Sequence, residues 1–228
     1  MRTIAHIRTD FQEKFGIPRQ SGLVKTLLGR IIFEPEYRNP QAVRGLEEFT
    51  YIWLLWKFSE SKKGNWAATV KPPRLGGNQR MGVFATRSPY RPNDIGLSSV
   101  KLEQIVYDDT LGPVLLVSGI DILDNTPIYD IKPYLPYTDS HPEAKAGFAE
   151  EVFDYGLEVE FPETLLVRLP LEKRMAVIEV LKQDPRPAYQ KDEHRKYGVF
   201  FAGYDIRFYV KGHILKVCEV VDKRTGKI

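Results

Sequence analysis

The residues best suited to bind or transform a ligand are concentrated between residues 72 and 98. Three arginine-bearing, glycine- and proline-rich segments follow one another there: Pro72-Pro73-Arg74-Leu75-Gly76-Gly77-Asn78, Gly82-Val83-Phe84-Ala85-Thr86-Arg87-Ser88-Pro89 and Arg91-Pro92-Asn93-Asp94-Ile95-Gly96-Leu97-Ser98. Glycine permits close backbone approach, and proline fixes a loop so that little entropy is lost on binding. One such loop is most simply a hairpin turn. Three in succession favour a binding site.

A second candidate is the turn that follows the apolar segment 114–120. Asp121 and Asp124 lie in this turn and could bind ribose hydroxyls or a metal ion, or could be ordinary Asx-turn residues. The sequence has no Gly-x-Gly-x-x-Gly after a first strand, no Walker loop, no zinc-spaced His/Cys set and no nucleophile elbow. These patterns give no support for a dinucleotide-binding, P-loop or zinc protein, and we expect no metal.

Charge is unevenly distributed along the chain. The 228 residues include 33 Lys and Arg against 30 Asp and Glu, for a net charge of +3. Residues 71–101 are basic with the single acid Asp94, whereas residues 139–160 are acidic with the single base Lys145. This pattern indicates either a basic face for a polyanion or ordinary solvated charge.

The composition is that of a globular protein, with 43% hydrophobic and 28% charged residues. The apolar segment 51–56 is far shorter than the roughly 20 residues that span a bilayer, and the N-terminus has no apolar signal region. We therefore expect no membrane association and a cytoplasmic location. The single cysteine, Cys218, excludes an internal disulfide and is expected in the core beside Leu215 and Val217.

Short β-branched and aromatic segments dominate the first 140 residues. Strands are predicted at 2–9, 30–33, 49–58, 82–86, 98–106 and 114–120. The clearest helical signal among them follows Asn39, with Pro40 at the first helical position. Many short strands with few crossover helices indicate an antiparallel barrel or sandwich and disfavour a Rossmann sheet.

The pattern changes after Tyr137. Leu171, Met175, Ile178 and Leu181 recur at helical spacing, after a shorter helix predicted at 163–169. Strands at 197–201, 205–210 and 214–221 follow, with turns at the glycines 203 and 212. The predicted fold is a mainly β N-terminal domain, residues 1–140, with a smaller α+β C-terminal domain, residues 141–228.

Several motifs in order resemble the TrmO family, also called YaeB-like or TsaA-like, over about residues 4–210. Besides the segments from 73 to 98 quoted above, they are Phe15-Gly16-Ile17-Pro18-Arg19-Gln20, Asp130-Ile131-Lys132-Pro133-Tyr134 and Asp184-Pro185-Arg186-Pro187-Ala188-Tyr189. Asp94 and Asn125 depart from the family pattern, which usually has Pro and Gly there. Asn tolerates positive φ, so the second change is mild.

The resemblance implies a β-barrel methyltransferase that uses S-adenosylmethionine. Such enzymes methylate N6 of N6-threonylcarbamoyladenosine, immediately 3′ of the anticodon in threonine tRNA, and act as homodimers with the cofactor near the subunit interface. The cofactor-binding residues carried over are Gln20, Ser21, Gly22, Ser59, Glu60, Arg87, Leu97, Ser98, Asp121, Ile122 and Leu123. Arg87 is expected to position the cofactor carboxylate or a phosphate.

Contacts with the tRNA anticodon loop are expected from cations next to aromatic residues. The predicted RNA-binding residues are Arg91, Lys132, Tyr134, Arg186 and Tyr189. The alternative for Tyr134 is barrel packing. The alternative for Arg186 is a structural strut in which it pairs with an acid.

The general base is left open at this point among Asp94, Asp121, Asp130, Tyr134 and Tyr189. Two other functions also remain open: a methyltransferase of this family with another RNA or small-molecule acceptor, and a non-catalytic module that binds RNA or S-adenosylmethionine.

Overall fold

The computed structural model describes residues 1–59, 66–72, 79–152, 156–186 and 192–224. Within the first 140 residues, the described strands are β1 (Ala5–Arg8), β2 (Leu28–Phe33), β3 (Tyr51–Lys57), β4 (Thr69–Val70), β5 (Met81–Gly82), β6 (Ile95–Asp108), β7 (Gly112–Ser118) and β8 (Thr126–Pro133). Six of them close an antiparallel barrel in the order β1-β2-β7-β6-β3-β8. The predicted barrel, and the prediction that the sheet is not of the Rossmann type, are confirmed.

The barrel closes because its strands alternate between buried and outward positions. Along β3, Ile52, Leu54 and Trp56 are buried, while the residues between them are more exposed. Trp56 lies opposite Gly96 of β6. A Cβ at Gly96 would collide with the Trp56 ring, so glycine is required for the ring to cross this strand.

One local sequence prediction in this domain is wrong, and another is confirmed as a short 3-10 helix. Residues 82–86 were predicted as a strand, but β5 ends at Gly82 and Val83–Ala85 form a short 3-10 helix. The predicted helix after Asn39 is a 3-10 helix, Pro40–Val43, in which the Asn39 side chain accepts a hydrogen bond from the Gln41 N–H. Such short polar side chains commonly cap helix starts.

The second sheet has the order β10-β11-β12-β9, formed by β9 (Glu158–Glu160), β10 (Tyr197–Phe201), β11 (Tyr204–Lys211) and β12 (Ile214–Asp222). The helices are α1 (Pro136–Asp139), α2 (Glu163–Leu166) and α3 (Leu171–Lys182). The predicted α+β character is confirmed. The predicted domain boundary near residue 140 falls between β8, which belongs to the barrel, and β9, which belongs to the second sheet.

The buried faces of this second domain differ from the predicted ones at several positions. Helix α3 buries Ala176, Val177, Val180 and Leu181, whereas Leu171 and Met175 are exposed. Cys218 is exposed because it alternates on β12 with the buried residues Leu215 and Val217. Its predicted place in the core is therefore wrong.

The loop between β1 and β2, residues 9–27, joins the two domains and is called the interdomain loop below. Phe11 packs edge-on against Phe201 with ring centroids 5.4 Å apart. The Asp10 carbonyl accepts the Ala202 N–H at 2.9 Å, and the Asp10 carboxylate pairs with Lys173 at 2.5 Å. Both sheets therefore share one continuous hydrophobic core through this loop. Among the described helices, none is long and apolar enough to cross a membrane.

Candidate functional site

A pocket of about 570 Å³ opens at the end of the barrel where β3 ends and β6 begins. This volume lies within the roughly 300–1,000 Å³ typical of small-molecule sites. The interdomain loop, the turn after β7 and the loop 86–91 complete its wall. Trp53, Leu97 and Ser99 also line it. These residues alternate along β3 and β6 with residues whose side chains point into the barrel. The pocket therefore extends from the end of the barrel onto its outer face.

Most of the predicted cofactor residues meet in this pocket. Those that line it are Gln20, Ser21, Ser59, Arg87, Leu97, Asp121 and Leu123. Gly22, Ser98 and Ile122 do not line it: Gly22 anchors the interdomain loop by donating to the Gly119 carbonyl at 2.8 Å, and Ile122 is fully buried in the core. Glu60 lies outside the described residues. The cofactor role of each residue stays a prediction.

Among the described residues that line the pocket, Asp121 is the acidic one, and a chain of hydrogen bonds orients it. The Trp56 indole N–H donates to Ser98 Oγ at 2.9 Å, and the Ser98 hydroxyl donates to Asp121 Oδ1 at 2.6 Å. Burial raises the pKa of Asp121 to about 6, while Ser98, the Ser21 N–H and the Arg87 charge act in the opposite direction. The carboxylate is therefore ionised at neutral pH and able to accept a proton near it.

The other aspartate of this turn has a structural role. Asp124 accepts the Thr9 N–H at 2.9 Å and pairs with Arg8 Nε at 3.1 Å. These two contacts connect the end of β1 to the turn after β7. Asn125 has a φ of 60° and its N–H donates to the Ile7 carbonyl at 2.8 Å. The expected tolerance of Asn for this backbone conformation is confirmed.

Three arginines give the wall of the pocket positive charge. Arg87 Nη1 donates to Gln20 Oε1, which joins the loop 86–91 to the interdomain loop. Arg19 and Arg91 line the same space. Guanidinium groups bind carboxylates and phosphates in two-point contacts, so this wall suits an anionic group.

Sequence reasoning missed the aromatic floor of the pocket. Trp56 and Phe58 line it with ring centroids 4.4 Å apart, and Trp53 extends it over the rim. All three come from the aromatic segment 49–58, which was assigned only a strand. The signal was the density of aromatic residues just before Ser59. The motif from Phe15 to Gln20 likewise contained the additional pocket residues Ile17, Pro18 and Arg19.

The predicted RNA contacts do not lie together. Arg91 lines the pocket, but its guanidinium also donates to the carbonyls of Thr86 and Val83 at 2.6 and 3.2 Å. On β8, Lys132 is exposed and pairs with Asp130 at 3.0 Å. Tyr134 packs on Trp53 with ring centroids 5.6 Å apart, as its alternative explanation proposed.

Arg186 lies in the C-terminal domain and pairs with Asp184. Nε and Nη2 contact the two carboxylate oxygens at 2.8 and 3.0 Å, and the Arg186 side chain is 11% exposed. This geometry is the one expected for a strut. Tyr189 lies outside the described residues, and RNA contact by either residue stays a prediction.

The described part of the chain contains no group of three His, Cys, Asp or Glu side chains suited to hold a metal ion.

A closed antiparallel barrel with an aromatic and arginine-lined pocket at one end defines a ligand-binding barrel protein. The profile of the tRNA-methyltransferase O N-terminal domain matches residues 6–140, and that of the TrmO C-terminal domain matches residues 154–223. The chain belongs to the TrmO family, as its motifs predicted.

Two curated relatives and one solved structure are similar along nearly the whole chain. The tRNA (adenine(37)-N6)-methyltransferase of Escherichia coli K12 is 44% identical over 91% of each chain. The putative S-adenosylmethionine-dependent methyltransferase RcsF of Pseudomonas aeruginosa is 40% identical over 95% of each chain. The crystal structure of TrmO from P. aeruginosa has a TM-score of 0.78 at 34% identity, covering 96% of this chain and 95% of that one.

Proposed function

We propose that this chain transfers a methyl group from S-adenosylmethionine to N6 of N6-threonylcarbamoyladenosine at position 37 of threonine tRNA. The observation that carries the proposal is the placement of Asp121, the arginine wall and the aromatic floor around one pocket. The predicted enzyme class, a tRNA (adenine-N6)-methyltransferase, and the predicted cofactor are confirmed by the family and its named relatives. The threonylcarbamoyl acceptor and the choice of threonine tRNA rest on the motif resemblance.

The pocket residues fit S-adenosylmethionine. Arg87 and Gln20 offer hydrogen-bond donors to the cofactor carboxylate, and the rings of Trp56 and Phe58, which pack edge to face, offer apolar contacts to its adenine. When bound, the cofactor supplies an electrophilic methyl group. The protein must hold the acceptor nitrogen in line with that methyl and exclude water.

Asp121 is assigned as the proton acceptor. The N6 nitrogen of a threonylcarbamoyl group is a poor nucleophile because its lone pair is delocalised, so its proton must leave as the N–C bond forms. Among the conceivable bases, Asp121 lines the pocket, whereas Asp130 pairs with Lys132 and Tyr134 packs on Trp53. Ser98 holds one oxygen of the Asp121 carboxylate and thereby fixes its orientation. The proton of N6 passes to the carboxylate as the methyl group is transferred.

We also propose a homodimer with the pocket near the subunit boundary. Leu97 supports this assembly, because it lines the pocket on the outer face of β6 and is 54% exposed. Light scattering at micromolar concentration checks it, and a monomer with full activity would contradict it. The cytoplasmic location expected from the sequence stays a prediction.

The test of the proposed reaction is methylation in a purified system. Threonine tRNA that carries N6-threonylcarbamoyladenosine is incubated with protein and cofactor, and its nucleosides are measured by mass spectrometry. We expect the modified adenosine to gain one methyl group. Matched threonine tRNA with unmodified adenosine 37 is the control. Equal methylation of both tRNAs, or of neither, would contradict the proposed acceptor.

A further inference from the structure

Two exposed aromatic rings and an arginine form a continuous surface beside the pocket. Trp66 and Phe84 stack at an interplanar angle of 22° with centroids 6.3 Å apart, and Arg91 Cζ lies 5.6 Å from the Phe84 centroid. Phe84 is 70% exposed and Trp66 is 51% exposed. We call these three residues the stacking platform. Single exposed rings are common on protein surfaces, but two rings stacked into one exposed apolar patch are typical of a binding surface.

The loop that carries the platform is tied down by several hydrogen bonds. The Val83 N–H donates to the Ala68 carbonyl at 3.0 Å, and the Thr86 hydroxyl donates to the Val83 carbonyl at 2.9 Å. The Arg91 guanidinium closes the same loop through its bonds to Val83 and Thr86. Phe84 therefore projects from a fixed loop, and a ligand that stacks on it requires little ordering of the protein.

The platform is continuous with the pocket rim, because Arg91 belongs to both and Thr86 and Pro89 of the same loop line the pocket. Two cationic residues lie next to the strand pair β4 and β5, which leads into this loop. Arg80 is held at Thr69 by hydrogen bonds of 2.7 and 3.1 Å, and Lys71 follows in the same segment. The surface thus combines exposed rings with positive charge, which suits a single-stranded polyanion with aromatic bases.

We propose that the stacking platform binds a nucleobase of the anticodon loop next to the adenosine that enters the pocket. This inference rests on the proposed function, because it needs an RNA loop as the acceptor. Loop bases are unstacked and can lie on aromatic rings and guanidinium planes. A neighbouring base held on Phe84 fixes the loop beside the pocket.

A second copy of the chain suits this surface less well. A self-complementary contact centred on Phe84 would bring two copies of the same basic surface together, each carrying Arg80 and Arg91. Like charges brought together in this way oppose association. RNA phosphates instead neutralise them, and we therefore assign the platform to RNA.

The test measures binding of the anticodon stem-loop of threonine tRNA by fluorescence anisotropy. The Phe84→Ala and Phe84→Leu variants remove the aromatic face, and we expect affinity to fall on the order of tenfold in each. Phe84→Trp keeps a stacking face and should retain affinity. Tyr107→Ala is the matched control, because Tyr107 is a 60% exposed aromatic residue near the far end of β6. Cofactor binding by calorimetry should be unchanged in all four variants.

Stem-loops that lack one base at a time identify the stacked position. For the stem-loop that lacks the stacked base, the Phe84→Ala variant should bind with the same affinity as the wild-type protein. Wild-type protein that methylates and binds the loop while Phe84→Ala binds equally well would overturn the platform alone. Wild-type protein that neither binds nor methylates the loop would overturn the proposed function as well. Loss of a dimer in Phe84→Ala, with RNA affinity intact, would assign the surface to a second copy and overturn the inference.

Discussion

Two loops of this protein have the same sequence character, yet their arginines lie in opposite environments. Arg91 and Arg186 are each followed directly by a proline, Pro92 and Pro187. Arg91 lines an open pocket and lies over an exposed ring. Arg186 is 11% exposed and paired at two points with Asp184, which is itself 7% exposed. The difference arises because Asp184 adopts a φ of 49° and accepts both the Arg186 N–H and its guanidinium.

The comparison distinguishes charged side chains that are placed to bind a ligand from charged side chains that stabilise the fold. Removing a pocket charge should reduce activity while the protein stays folded. Removing a strut charge should reduce stability, because a buried carboxylate loses its charged hydrogen-bond donor.

Asp121→Asn is expected to give the largest effect. Loss of the proton acceptor should lower the methylation rate on the order of 10²- to 10⁴-fold. Single-turnover rates measured with saturating cofactor and tRNA check this value. The wild-type rate should fall as the pH drops below about 6, where Asp121 becomes protonated. A variant that keeps more than half of the wild-type rate would remove Asp121 from the reaction.

The stability of Asp121→Asn provides the matching control. Burial raises the folded-state pKa from the ordinary 3.8 to about 6, so the folded protein binds this proton more tightly than the unfolded chain does. The stability that Asp121 contributes is therefore fully present below pH 3.8 and is lost as the pH rises from there through about 6. The Asn variant should become more stable relative to the wild type between about pH 4 and about pH 7 in thermal melts.

Arg186→Met tests the strut. Loss of both guanidinium contacts to the buried Asp184 carboxylate should lower the free energy of unfolding by about 3 kcal/mol. Urea denaturation measures the loss. Adding Asp184→Asn should recover part of it, because the amide carries no charge and Asn tolerates positive φ. Weakened tRNA binding at unchanged stability would instead favour the RNA contact expected from the sequence.

Gly96→Ala should perturb the aromatic floor. The new methyl group would collide with the Trp56 ring and displace the indole N–H from Ser98. Overpacking of this kind costs about 1–3 kcal/mol, and we expect weaker cofactor binding in calorimetry as well. Gly82→Ala is the control, because a Cβ there has no neighbour within 4 Å among the described residues. Equal behaviour of the two variants would show that the ring has room to move.

Ser98→Ala should have the smallest effect. The Ser98 hydroxyl donates to Asp121 and lowers its pKa, so the alanine variant should raise it. The acidic limb of the pH–rate profile then moves to higher pH, while the rate at pH 9 changes little. A shift to lower pH would contradict the assigned direction of this hydrogen bond.

Local patterns predicted strands well where β-branched and aromatic residues are dense, as in β2, β3 and β7. They missed β8, since Pro127, Asp130 and Pro133 interrupt its apolar pattern. This strand is fixed by pairing with β1 and β3, which lie far away in the sequence. Tertiary pairing of this kind overrides local propensity.

The candidate site, too, could be predicted only in part from the sequence. Family motifs pointed to Gln20, Arg87 and Asp121, and the fold brings these distant residues into one pocket. The stacked pair of Trp66 and Phe84 had no signature, because each residue alone resembles an ordinary core aromatic. Only the folded structure shows that both rings face solvent.

The interdomain loop touches the pocket through Gln20 and the second sheet through Phe11 and Asp10. This loop therefore connects the wall of the pocket physically to the C-terminal sheet. If docking tightens cofactor binding by some factor, cofactor must tighten docking by the same factor. Amide protons of β10 should then exchange more slowly with cofactor bound, although β10 contributes no residue to the described pocket wall. Hydrogen exchange in the C-terminal sheet should thus detect ligand binding in the pocket through the loop that contacts both.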